Sequence, residues 1–210
     1  MALPMVHLAV ARALAERDER MLGSGEYYLG AISPDAVHMR PGYHRQLKAD
    51  SHFTAEKSRQ NDPAIWTADV LAAYRGKESD AFAQGYVVHV LTDIVWGQEL
   101  GGKIFDAYDA DPEPAQERSA AYYNDTDLID IALYKNAPWR PEVFAAMASS
   151  PARAFGSLVT EADCEAWRAR TLRWYEEHDE SMYRPMRYVT QEQIDAFVCA
   201  AAERISRILP

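Results

Sequence analysis

The stretch Phe82-Ala-Gln-Gly-Tyr-Val-Val-His-Val-Leu-Thr-Asp-Ile-Val-Trp96 constrains this chain more than any other. It is apolar almost throughout, yet it carries His89 and Asp93 four residues apart. On a helix that spacing puts an imidazole and a carboxylate on one face, one turn apart. A helix that is hydrophobic all round belongs in the middle of a domain. A buried Asp is costly there unless it is paired, hydrogen-bonded or coordinating a cation. The pair therefore needs partners from elsewhere in the chain. Gly85, inside the same stretch, marks a point of close packing against a neighbouring element.

The rest of the pattern is helical. Residues 4–20 carry an apolar stripe through Val6, Leu8, Val10, Ala11 and Leu14, with Pro4 in the first turn and His7 one turn in. Tyr27 to Ile32 is a short apolar run that ends at Ser33-Pro34-Asp35, where Asp35 either caps a helix or faces a site. Residues 39–63 lack periodicity and read as a long irregular segment. Within it His44 is expected in solvent and His52, followed by Phe53, is expected to point inward. Ala64 to Arg75 reads as a helix stopped by Gly76. Residues 106–114 read as an acidic loop. Glu117 to Tyr134 reads as a helix on which Asp125, Asp127 and Asp130 form a solvated face. Thr160-Glu-Ala-Asp163 and Thr190-Gln-Glu-Gln193 have the capping-box pattern and open the last two long helices. No strand-like alternation of useful length occurs. The expectation is one all-α domain spanning 1–210, with about seven or eight helices.

Composition narrows the function. Five Trp and twelve Tyr can fill a sizeable core in a chain of 210 residues. A formal net charge of −10 argues against a nucleic-acid-binding patch and against attraction to anionic membranes. No run of about 18 uncharged apolar residues is present to span a bilayer. The N-terminus, Met-Ala-Leu-Pro-Met-Val-His, lacks the basic and long apolar regions of a signal peptide, so a cytoplasmic protein is expected. Cys164 and Cys199 are isolated, without a CxxC, which disfavours a thiolate zinc site. Two buried free thiols are expected in preference to a disulfide.

Partners for His89 and Asp93 come from His7, His38, His52 and Asp35. Sulfur-free His and carboxylate sets suit a catalytic zinc site or a two-metal hydrolytic site. The HxxxD spacing alone is a weak signal, because ordinary cores also produce it.

The order of His7, Leu29-Gly30-Ala31-Ile32-Ser33-Pro34-Asp35, Ser51-His52-Phe53 and Gly85-Tyr86-Val87-Val88-His89-Val90-Leu91-Thr92-Asp93 resembles the zinc-dependent phospholipase C family and, more distantly, the S1/P1 nucleases. The resemblance covers roughly residues 1–100. It implies an all-α fold of that type around a zinc cluster at the bottom of a cleft. Asp35, His52, His89 and Asp93 would hold one zinc, and Asp93 would bridge to a second shared with His7. Six residues precede His7, and the N-terminal Trp that completes the second site in the secreted enzymes is missing. One or two zinc ions are therefore expected. A gapless extension would put Glu99, Glu113 and Glu117 where the family holds a third zinc, and no third site is assigned.

The implied activity is hydrolysis of a small-molecule or lipid phosphoric ester in the manner of a phospholipase C-like phosphodiesterase. A zinc-bound hydroxide would be the nucleophile, and Asp35 would orient or deprotonate it. Two other readings stand beside it. One is a non-catalytic helical binding module that keeps a single structural metal. The other is a metal-free protein whose His89 and Asp93 pair in the core.

Overall fold

A computed structural model describes residues 3–55, 62–177 and 180–209. The apolar stretch forms α6, Ala81–Trp96, and every residue of it except Ala81 and Gln84 is buried. Asp80 starts it by accepting a hydrogen bond from the Ala83 amide at 3.1 Å. Phe82, Val87, Val88, Val90, Leu91, Ile94 and Val95 are all within this buried set. Each buried side chain of that size contributes about 1.5–3 kcal/mol, which offsets the cost of sinking His89 and Asp93 beside them.

The other helices lie around α6. They are α1 Pro4–Ala15, α2 Glu19–Leu22, α3 Gly25–Gly30, α4 Arg45–Ser51 and α5 Pro63–Tyr74 before it. After it come α7 Gly102–Asp109, α8 Arg118–Asn136, α9 Arg140–Ser149, α10 Glu161–Glu177 and α11 Gln191–Ile208. A 3-10 segment covers Ser33–Met39, and a π-turn over Gly97–Gly101 joins α6 to α7. The result is one all-helical domain. Among the described residues the only extended pairing is an isolated bridge between Phe155 and Val159. No described helix is long and apolar enough to cross a membrane.

The most extensive pairing is α3 on α6, and two glycines set its distance. A Cβ on Gly85 would stand 1.9 Å from the Tyr27 carbonyl oxygen, and one on Gly30 would stand 2.2 Å from that of Phe82. The two backbones touch at the crossing, as the position of Gly85 in the apolar stretch led us to expect. On its other faces α6 meets α1, α5 and α11, while α10 packs on the 3-10 segment and α9.

Several local readings hold. Gly76 follows α5 with φ +79, in the left-handed conformation that ends helices. Thr190 and Gln193 form the reciprocal capping box of α11. Thr160 and Asp163 exchange the equivalent bonds at the start of α10, at 2.9 and 3.2 Å.

Others need correction. The described residues hold eleven α-helical segments, because short helices were not legible as separate elements. The first helix stops at Ala15, before the separate turn of α2 that Asp18 caps. The segment read as irregular contains α4, whose seven residues are too few for an apolar period to register; its residues 56–61 lie outside the described ones. The acidic loop is helical as far as Asp109. Cys164 is buried, but Cys199 is exposed, and both are free. Asp125 and Asp130 are 1% exposed and face inward, because the residues they serve belong to distant parts of the chain.

Candidate metal centre

Four elements bring His7, Asp35, His52, His89 and Asp93 to one point. α1 carries His7, the 3-10 segment carries Asp35, His52 caps the C-terminus of α4, and α6 carries His89 and Asp93. Asp35 does not cap a helix; its carboxylate faces the other four. All five residues are at most 8% exposed.

The imidazoles are oriented by backbone. His89 Nδ1 donates to the Ala31 carbonyl at 2.8 Å, a bond made possible by the close α3–α6 crossing. His52 Nδ1 donates to the Lys48 carbonyl at 2.9 Å and also lies 2.9 Å from Ser51 Oγ. A carbonyl can only accept, so each Nδ1 carries the proton and Nε2 of the neutral ring keeps its lone pair. The two Nε2 atoms are 3.3 Å apart. Burial pushes the His52 imidazole down to about 3, against the upward pull of Asp35, so that ring is neutral at ordinary pH. Two neutral rings whose lone pairs met in this way would be unfavourable unless a cation lay between them. A donated Nδ1 with a converging Nε2 is the usual arrangement of a metal-ligating histidine.

The carboxylates complete the set. His52 Nε2 lies 3.5 Å from Asp35 Oδ1 and 3.6 Å from Asp93 Oδ2. His89 Nε2 lies 3.9 Å from Asp35 Oδ2 and from Asp93 Oδ2. A tetrahedral zinc with arms of about 2.0–2.1 Å has its ligand atoms about 3.3–3.4 Å apart, so these separations suit one ion with little movement. Asp93 divides its oxygens: Oδ2 faces His52 and His89, while Oδ1 is 3.6 Å from His7 Nε2. That is the disposition of a bridging carboxylate.

His7 has no exposed surface and stacks on His89, with centroids 3.6 Å apart and planes within 9°. Neither of its ring nitrogens has a hydrogen-bond partner. Burial, reinforced by His89, holds its imidazole well below the usual range. A neutral buried imidazole with both nitrogens unsatisfied is expensive, and a cation shared with Asp93 would satisfy one of them. Among the described residues the two groupings able to hold an ion are His7, His89, Asp93 and Asp35, His52, His89. Glu99, Glu113 and Glu117 are not among them. Glu99 pairs with Arg204 at 3.3 Å, and Glu113 and Glu117 are exposed.

His52 is held by more than its ring. Its carbonyl accepts from the Trp66 indole at 2.6 Å, and the Ser51 carbonyl accepts from the Tyr86 hydroxyl at 2.7 Å. Phe53, directly after it, has φ +58. A bulky residue in that region costs about 1 kcal/mol or more and persists only where its surroundings demand it.

Asp35 alone of the five opens onto a cavity of about 600 Å³, whose lining also includes Lys48, His38, Trp167, Trp174 and Tyr175. That volume suits a small-molecule ligand. Burial alone would raise the Asp35 carboxyl, but the Lys48 ammonium, followed by His89 and His52, holds it well below the usual carboxylate range. Lys48 Nζ is 2.7 Å from Asp35 Oδ1.

His38, a candidate partner of His89 and Asp93 from the sequence, instead meets Lys48 at 3.3 Å, and Lys48 was not singled out at all. The spacing Lys48-x3-His52 on one helix face was the available signal. Sequence reasoning also missed Asp130, whose Oδ1 accepts from the Met5 and Val6 amides at 3.0 and 3.2 Å and so anchors the first turn of the helix that carries His7. The C-terminal third, for which the sequence suggested no role, supplies α10 as a cavity wall. His44 is exposed, as expected, and His178 lies outside the described residues.

Fold and site together define an all-α protein with a buried three-His, two-Asp cluster under an open cavity. No family model, curated protein or solved structure matches the chain.

Proposed function

We infer that this protein is a zinc-dependent hydrolase of a phosphoric ester, of the phospholipase C and P1 nuclease type. The observation that carries the reading is the convergence of the His52 and His89 Nε2 atoms with the Asp35 and Asp93 carboxylates, both Nδ1 atoms being already committed to backbone carbonyls. Asp35, His52, His89 and Asp93 would hold one zinc, and Asp93 with His7 a second. Bound zinc supplies charge stabilisation to a phosphoryl group and makes a water acidic enough to act near neutral pH. Asp35, ionised and facing the cavity, would orient the nucleophile. The depth of His7, His52, His89 and Asp93 keeps bulk water from competing with the ligands. The substrate is a small-molecule or lipid phosphoester.

That same depth supports a second reading, a non-catalytic module stabilised by one structural metal. Asp35 separates the two, because a purely structural site needs no ligand open to a cavity.

Elemental analysis of protein purified without added metal is expected to give about one or two zinc ions per chain, with hydrolysis on a panel of phosphomonoesters and phosphodiesters. About one ion and no turnover would favour the structural reading. His89→Ala is expected to lose bound metal and to melt lower than the parent. Unchanged metal content in that variant would refute the site.

A further inference from the structure

The cavity wall beside Asp35 carries two cations, Lys48, which is paired with that carboxylate, and Arg170. Lys48 Nζ is directed at Asp35 Oδ1, 2.7 Å away, and at His38 Nε2, 3.3 Å away. An ammonium has three N–H donors, so one remains for a ligand. The wall continues from His38 to Trp167, with ring centroids 6.1 Å apart, and then to Arg170, whose guanidinium lies 4.9 Å from the Trp167 centroid. Arg170 has no ion-pair partner among the described residues, and both it and Lys48 line the cavity. Of the acids that also line it, Asp127 and Asp130 are engaged by the Tyr183 and Tyr175 hydroxyls at 3.0 and 2.5 Å.

We propose that Lys48 and Arg170, with His38 orienting Lys48, form an anion subsite that takes the phosphoryl group of a phosphate monoester. The proposal rests on the hydrolase reading and names its substrate class. A stacked Arg presents its planar fork while its face is covered, and a Lys held at two points presents a fixed charge; both suit phosphate oxygens. A monoester presents three terminal oxygens to the remaining Lys48 N–H and the Arg170 fork, whereas a diester presents two and must accommodate a second organic arm. The organic part of the monoester lies against Trp167, Trp174 and Tyr175 on α10.

Equilibrium dialysis of the full chain against inorganic phosphate, with methyl phosphate and dimethyl phosphate as competitors, tests this. Wild type is expected to bind phosphate and methyl phosphate and to bind dimethyl phosphate at least about tenfold more weakly. Lys48→Met and Arg170→Gln are each expected to weaken phosphate binding by about tenfold or more, the size of a lost charge-assisted hydrogen bond, and Arg170→Gln, which touches no metal ligand, to keep its zinc content. His38→Ala is expected to weaken it less, and His38→Gln, which keeps an acceptor for Lys48, to restore it. If Lys48→Met does not fold, Arg170→Gln decides alone. Wild-type phosphate affinity in Arg170→Gln, or a diester bound as tightly as the monoester, overturns the proposal. Phosphate binding in this pattern without turnover of any phosphoester supports the subsite while refuting the hydrolase reading. Turnover that prefers diesters retains the hydrolase and refutes the subsite.

Discussion

Gly85→Ala links the fold to the site in a single atom. The added Cβ would lie 1.9 Å from the Tyr27 carbonyl oxygen and 2.9 Å from the Ala31 amide nitrogen. Both obstacles are backbone, so no rotamer change relieves them. Restoring ordinary contact requires α3 and α6 to separate by about 1.5 Å at the crossing. Overpacking of a rigid interface costs about 1–3 kcal/mol or more. Replacing a helical Gly by Ala returns about 1 kcal/mol. With backbone on both sides of the clash the upper end of the cost applies, leaving a net loss of about 2 kcal/mol. In a chain of this size that lowers Tm by about 4–8 °C. The same separation breaks the 2.8 Å bond from His89 Nδ1 to the Ala31 carbonyl, since a hydrogen bond of that kind tolerates little beyond about 3.2 Å. Losing such an orienting partner weakens metal binding by about 10–100-fold. Thermal unfolding and zinc retention against a competing chelator read the two effects in one preparation. Gly102→Ala is the control, because nothing lies within 4 Å of its added Cβ; it should leave both readings unchanged or raise Tm slightly. The reasoning fails if Gly85→Ala melts at or above wild type, or if it melts lower while holding zinc as tightly.

Two further perturbations probe acids that the sequence left on the surface. Asp130 is raised to about 7, chiefly by burial, against the lowering effect of the Tyr175 hydroxyl and the Met5 and Val6 amides. An unfolded carboxyl titrates near 4, so between about pH 4 and 7 only the folded state holds this proton. Stability from this group is therefore full below about pH 4 and lost as pH rises towards 7, and Asp130→Asn should remove that slope; denaturant melts giving parallel pH profiles for the two proteins would contradict it. Asp125 accepts from the Arg187 and Tyr188 amides at 2.9 and 2.7 Å and from Asn124 Nδ2 at 3.0 Å. Asp125→Ala should cost about 2–5 kcal/mol through the donors left unpaired, and hydrogen exchange should speed up at residues 187 and 188; unchanged protection there would show that the clamp is unimportant.

How much of this could be read from the chain follows the range of each interaction. The buried helix of residues 82–96, its close-packing Gly85, the Gly76 stop and the Thr190 capping box are legible because each depends on residues within a turn or two. Asp125 and Asp130 were not. On α8 Asp125 sits among Asn124, Thr126 and Asp127, and Asp130 follows Asp127 by three positions, so together they read as a polar face; what turns Asp125 and Asp130 inward is a set of donors far away in the chain. Cys199 was misread for the same reason, since a helical position says nothing about which face meets solvent.

The site divides along the same line. Sequence alone determined that His89 and Asp93 share one buried face and therefore require a partner, because helix periodicity and the cost of a buried carboxylate are local facts. It also supplied the donor types at His7, Asp35 and His52. Only the tertiary structure decided that these donors converge with both Nδ1 atoms spoken for, that Asp93 splits its oxygens, that His7 is left unsatisfied, and that Asp35 alone opens onto a cavity walled by α10. Those outcomes depend on the α3–α6 contact distance and on where α1 and α10 dock, which are set by packing across the whole domain rather than by any one stretch of sequence.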